Sequence, residues 1–172
     1  MKKTTLLLLF IAILPLKAIA QHVFIQVAGN AYPIKQEQTQ TEVKPGWTIV
    51  DIKTRDKKIQ YLWGSRATQM AESHTPTLII YPGEKETLAD YVLIRLRRRK
   101  QYRRLMHSPL AENEYIRFTP EHFTILPSAG LGFACMPKNE LVTGEYIIAY
   151  LNQTPVGEYG DYMVYSFSVR KE

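Results

Sequence analysis

The chain has 172 residues, with 22 Lys and Arg against 16 Asp and Glu and a single cysteine. One cysteine excludes an internal disulfide, and the length suffices for one hydrophobic core without covalent staples. The formal net charge of +6 is unevenly placed: Arg95, Arg97, Arg98, Arg99, Lys100, Arg103 and Arg104 fall within ten residues, which argues against a uniformly basic, nucleic-acid-coating surface.

Met1-Lys2-Lys3 gives a positive start, Leu6 to Leu14 is an unbroken apolar run, and Pro15-Leu16-Lys17 ends it before Ala18-Ile19-Ala20. This is the order of a cleavable secretory signal. Residues 1–20 are expected to leave as the signal and residues 21–172 to form one domain, exported to the periplasm or the medium. A permanent anchor needs about 20 apolar residues to cross the hydrocarbon, and Pro15 and Lys17 cut the run short. No later stretch is apolar enough, so no transmembrane segment is expected after cleavage. Without Lys2, Lys3 and Lys17 the 22 cations become 19 against 16 anions, a balance of +3. Outside the basic segment the remaining 12 cations face all 16 anions, so the body is mildly acidic.

Frequent prolines leave little room for long helices. The runs between them are rich in Val, Ile, Tyr, Phe, Thr and Trp, which suit a pleated surface. Strands are expected at about 22–27, 47–52, 59–63, 77–81, 90–98, 101–106, 115–118, 122–126, 131–136, 145–151 and 162–170, with a helical turn at about 66–73. In the last strand Met163, Tyr165, Phe167 and Val169 alternate with Val164, Ser166, Ser168 and Arg170, one apolar face against one mostly polar. The segment 86–106 could be drawn as a helix, yet Tyr91-Val92-Leu93-Ile94 places apolar residues consecutively, as in a strand buried on both faces. A strand leading into a cationic hairpin is therefore expected. Many strands joined by short turns point to an all-β fold, an antiparallel β-sandwich.

On that hairpin Arg95, Arg97 and Arg99 are expected to point one way and Arg98, Lys100 and Arg104 the other. Guanidinium groups grip phosphate or carboxylate bidentately. Arg97, Arg98, Arg99, Arg103 and Arg104 are the candidate anion-binding residues, for a lipid headgroup, an acidic glycan or an acidic protein surface. The bland alternative is a solvated edge whose charges keep strands of neighbouring molecules apart. Nucleic acid is not expected as a partner.

Leu141-Val142-Thr143-Gly144-Glu145-Tyr146 precedes the strand Ile147-Ile148-Ala149-Tyr150. It resembles the tyrosine corner of immunoglobulin-like sandwiches, in which a tyrosine opening the penultimate strand bonds to the backbone upstream. The resemblance implies that Leu141 plugs the end of the sandwich, Gly144 permits a tight turn and Tyr146 pins the corner. From Asp90 to Val169 the chain also resembles uncharacterised exported bacterial immunoglobulin-like modules, a likeness that implies a fold and a compartment but no activity.

Chemistry is sparse. Cys135 with His122 is a conceivable thiol and base, but Leu131 to Met136 is largely apolar and a buried thiol stays protonated. Glu112 and Glu114 are close in sequence, whereas glycosidase carboxylates come from separate elements. His22, His74, His107 and His122 show no zinc spacing. No catalytic residue, metal or cofactor is assigned. The expected function is that of an exported, non-enzymatic binding module of the cell envelope; the alternative is a small secreted hydrolase acting on envelope polymers.

Overall fold

The computed structural model describes residues 23–44, 48–49, 52–53, 57–105, 115–157 and 160–170. The expected signal at 1–20 and the Glu112–Glu114 pair lie outside these residues. In chain order, β1 (Val23–Val27) and β2 (Asn30–Pro33) form a hairpin. Next, β3 (Gln36–Gln38) and β4 (Gln40–Lys44) are separated only by Thr39, and β5 (Thr48–Ile49) pairs with β6 (Ile52–Lys53). Then come β7 (Lys57–Trp63), β8 (Gln69–Ala71) and β9 (Thr77–Ile80), followed by a single 3-10 turn, Leu88–Asp90. The remaining strands are β10 (Tyr91–Arg98), β11 (Tyr102–Arg104), β12 (Tyr115–Arg117), β13 (Phe123–Pro127), β14 (Phe133–Pro137), β15 (Gly144–Tyr150) and β16 (Met163–Val169).

The fold is an all-β sandwich, as the strand-rich composition implies. One sheet has the order β13-β14-β9-β1-β2, and the centre of the other is β16-β15-β10, all antiparallel. With β2 to β8 set aside as an insertion between β1 and β9, the order β1-β9-β14-β13 over β16-β15-β10 is that of the A-B-E-D and G-F-C sheets of an immunoglobulin-like sandwich. Val23, Ile25, Leu78, Ile80, Phe123 and Cys135 of the first sheet pack against Tyr91, Leu93, Tyr146, Ile148, Tyr165 and Phe167 of the second. Each such fully buried large apolar side chain contributes about 1.5–3 kcal/mol.

The insertion builds a second compartment. β11 pairs with the far end of β10, β7 with β11, and β4 with β7, while β3 pairs with β16. Because β3 and β4 are one stretch of chain, the ring β4-β7-β11-β10-β15-β16-β3 closes through Thr39. The Thr39 N–H donates to the Tyr162 carbonyl at 2.8 Å and the Tyr162 N–H donates to Thr39 Oγ1 at 2.8 Å, so Thr39 takes over the ladder where the strand changes neighbours. Leu62, Val92, Ile94, Leu96, Leu105, Ile147, Ala149 and Val164 fill the ring.

The consecutive apolar residues of β10 follow directly: Tyr91 and Leu93 face the sandwich core, Val92 and Ile94 the ring interior. The helical alternative for this segment is thereby set aside. β16 alternates as expected, yet its polar side is also buried, with Ser166 2 % and Ser168 0 % exposed. The expected helical turn at 66–73 is instead strand β8, which runs parallel to β16 along its edge, with the Arg170 N–H donating to the Ala71 carbonyl at 3.1 Å. An unpaired sheet edge offered this segment more backbone partners than one isolated turn of helix. Among the described residues no helix is long and apolar enough to cross a membrane.

Candidate functional site

The basic segment is a hairpin, as its sequence implies. The Arg99 N–H donates to the Tyr102 carbonyl at 2.8 Å, which makes Lys100-Gln101 the turn. That turn fixes the register: Arg97 lies opposite Arg104, and Arg98 opposite Arg103. Directly paired residues share a face, so Arg104 joins the side of Arg95 and Arg97, and the expectation that it points with Arg98 is corrected.

Arg103 leaves the surface altogether. It is 1 % exposed inside the ring. Its Nη2 donates to Glu37 Oε2 at 2.8 Å and to the Trp63 carbonyl at 3.1 Å, its Nη1 to Ser166 Oγ at 2.8 Å, and its Nε to the Gly64 carbonyl at 3.1 Å. Ser166 Oγ in turn donates to Glu37 Oε1. Buried and with four of its five N–H donors engaged, this guanidinium is closed to an external anion; of the five candidate arginines it is a structural clamp.

The others remain accessible to different degrees. Arg97, Arg98 and Arg99 are exposed and Arg104 is half-buried. Arg97 and Arg98 also line a cavity of about 800 Å³, together with Arg66, Arg95 and Arg170. Strand lengths explain its position. The last pair of β15 with β10 is Glu145 with Leu96, and its last with β16 is Gly144 with Val169. β10 runs on to Arg98 and the β16 chain to Arg170, so the start of β15 leaves a notch between two basic segments.

Gly144 forms the floor of this notch. Its φ is not among the positive values of the described glycines, so the expected tight turn is not what requires a glycine there. A Cβ on Gly144 would stand 3.1 Å from Arg95 Nε, and Arg95 Nη2 donates to the Thr143 carbonyl at 3.1 Å. The missing side chain gives Arg95 room to lie along the strand's first residues. Glu145 is the carboxylate of the lining, 4 % exposed. Its Oε2 accepts the Ala67 N–H at 2.8 Å, and both oxygens accept from Ser168 Oγ at 2.9 Å. Five arginines therefore line the cavity, with one carboxylate already engaged by neighbours.

The Tyr146 hydroxyl donates to the Val142 carbonyl at 2.6 Å, and its ring stacks on Phe167 at 5.7 Å between centroids. Leu141 is buried in the sandwich core. Burial raises the Tyr146 phenol above its ordinary pKa, partly opposed by the Arg95 charge and the bond to Val142. Cys135 is also in the core, with its thiol pushed up to about 12 by burial. His122 is 43 % exposed, with Nε2 3.9 Å from Glu121. A core thiol and a surface imidazole do not form a nucleophile and base. Among the described residues no group of three or more His, Cys, Asp and Glu could hold a metal ion.

Of the candidate arginines, the lining includes Arg97 and Arg98 and not Arg99, Arg103 or Arg104; Arg95 belongs to the same dense segment but was not among the candidates. Arg66 and Arg170 were missed because they lie far from the hairpin in sequence; only the pairing of β16 with its neighbours brings them in. No protein-family model, curated protein or solved structure matches this chain.

Proposed function

We propose that this chain is an exported, non-catalytic β-sandwich that binds an anionic ligand of the cell envelope in the notch at the start of β15. The observation that carries this reading is the convergence of Arg66, Arg95, Arg97, Arg98 and Arg170 on one cavity of about 800 Å³. Like charges gathered on low-dielectric walls repel one another and raise the local concentration of counter-ions, and an anion relieves that repulsion. Each guanidinium offers forked donors that match a carboxylate or phosphate. Glu145, the carboxylate of the lining, already accepts from the Ala67 N–H and Ser168 Oγ, which favours binding over hydrolysis.

The test is retention of residues 21–172 on a sulfated resin against a salt gradient. Changing Arg66, Arg95, Arg97 and Arg98 to Gln together should move elution to markedly lower salt, while Arg117→Gln, on β12 away from the cavity, should leave it in place. Equal elution of all three proteins would remove the proposal.

A further inference from the structure

The outer face of the ring carries a second feature that continues from the notch. Across β7 and β11, Tyr102 lies opposite Trp63 and Arg104 opposite Tyr61; across β4, Gln40 lies opposite Tyr61; across β10, Arg97 lies opposite Arg104. One row therefore runs Arg97, Arg104, Tyr61, Gln40 over four adjacent strands, about 14 Å at the usual strand spacing. Trp63 and Tyr102 flank it. Trp63 is 57 % exposed, far from the usual fate of an indole.

This stripe is fixed in place. Trp63 Nε1 donates to Gln40 Oε1 at 2.6 Å, and the Tyr61 hydroxyl reaches the same oxygen at 3.4 Å. The rings of Tyr61 and Trp63 meet edge to face, 5.5 Å apart at 89°, and those of Tyr61 and Tyr102 lie 5.4 Å apart at 55°. Rigid aromatic rings on a sheet give large contact area at small entropic cost, and here an exposed Trp63 stands beside the half-buried Tyr61 and Tyr102.

We infer that the ligand is an acidic polysaccharide, its sugar rings seated on Trp63, Tyr61 and Tyr102 and its acid groups held by Arg97 and the arginines of the notch. The inference rests on the anion-binding reading above and names the ligand class. A pyranose presents C–H groups on its face and rim, which suits an angled seat of perpendicular rings. Successive bases of a nucleic acid stack instead on faces set along the strand. A lipid headgroup satisfies the arginines but leaves the aromatic row unused. Gln40 and the tyrosine hydroxyls supply the polar contacts that sugar hydroxyls need.

Calorimetric titration of residues 21–172 with polygalacturonate, polyphosphate, dextran and oligo-dT separates the possibilities. Polygalacturonate should bind, and Trp63→Ala should weaken it by about tenfold, the scale on which one stacked ring counts, while polyphosphate binding stays unchanged. Dextran should bind less tightly than polygalacturonate. Trp63→Phe, which keeps a ring, should retain most of the affinity and shows that loss in the alanine variant is not misfolding. Unchanged polygalacturonate binding in Trp63→Ala overturns the glycan assignment and leaves anion binding standing. Tighter binding of oligo-dT than of polygalacturonate, lost in Trp63→Ala, overturns it in favour of nucleic acid. If neither polygalacturonate nor polyphosphate binds, the anion-binding reading falls, and this inference with it.

Discussion

Arg103 and Glu37 meet at 2.8 Å inside the ring of strands, the first 1 % and the second 22 % exposed. They join β11 to β3, two strands that lie in different parts of the ring and share no ladder. A charge taken out of water is costly unless paired and hydrogen-bonded, and this guanidinium has a carboxylate partner and four of its five donors engaged.

Glu37→Gln should therefore destabilise the protein by about 3 kcal/mol, the lower end of the range for an uncompensated buried charge, because Glu37 keeps some contact with solvent. Joint replacement of Arg103 and Glu37 by Met should cost less than the sum of the single changes. Urea unfolding of the unmodified protein, Glu37→Met, Arg103→Met and the double variant gives the coupling directly. Additive costs would mean that the two residues act separately.

Tyr146→Phe removes the bond to the Val142 carbonyl but keeps the stack on Phe167. The expected loss is about 1 kcal/mol, rising toward about 3 if the carbonyl is left dry. Retention on the sulfated resin should not change, since the hydroxyl serves the corner. A large shift in elution would tie the corner to ligand binding.

Gly144→Ala places a Cβ 3.1 Å from Arg95 Nε, close enough that the arginine must give by a few tenths of an ångström. Arg95 is exposed and its far end is flexible, so stability should change by less than about 1 kcal/mol. Polyanion affinity should fall modestly, because Arg95 must shift away from the strand and loosen its bond to the Thr143 carbonyl. The comparison is the midpoint of urea unfolding against elution salt for the same variant.

The Cys135 thiol, ordinarily near 9.0, is pushed up to about 12 by burial. Above pH 9 the unfolded chain loses this proton while the folded chain keeps it, so the folded state binds more protons and its stability falls as pH rises. The stability difference between the protein and Cys135→Ala should be constant below pH 9 and shrink steadily toward pH 12. Thiol reagents should label the cysteine only on unfolding.

Several elements were legible because their cause is local. Tyr91-Val92-Leu93-Ile94 announced a strand buried on both faces, the cationic run from Arg95 to Arg104 a hairpin, and Leu141 to Tyr146 a corner. Others lacked any local signal. β3 and β4 read Gln-Glu-Gln-Thr-Gln-Thr-Glu-Val-Lys, with little apolar content, and are strands only because two neighbours lend them ladders. The β1–β2 turn uses Ala28 at φ 49° before Gly29, a conformation alanine rarely takes, so the hairpin was not visible in residue types.

By itself, the sequence determined an all-β sandwich, the basic hairpin and the packed cysteine, since alternation, proline spacing and apolar runs act over a few residues. Tertiary structure alone decided that Arg103 turns inward to Glu37, that Arg66 and Arg170 join the hairpin's arginines, and that Trp63 stands beside Tyr61 in the open. Those outcomes depend on which distant strands become neighbours. The free energy that selects them is spread over ladders and cores built by the whole chain, and no single segment carries its sign.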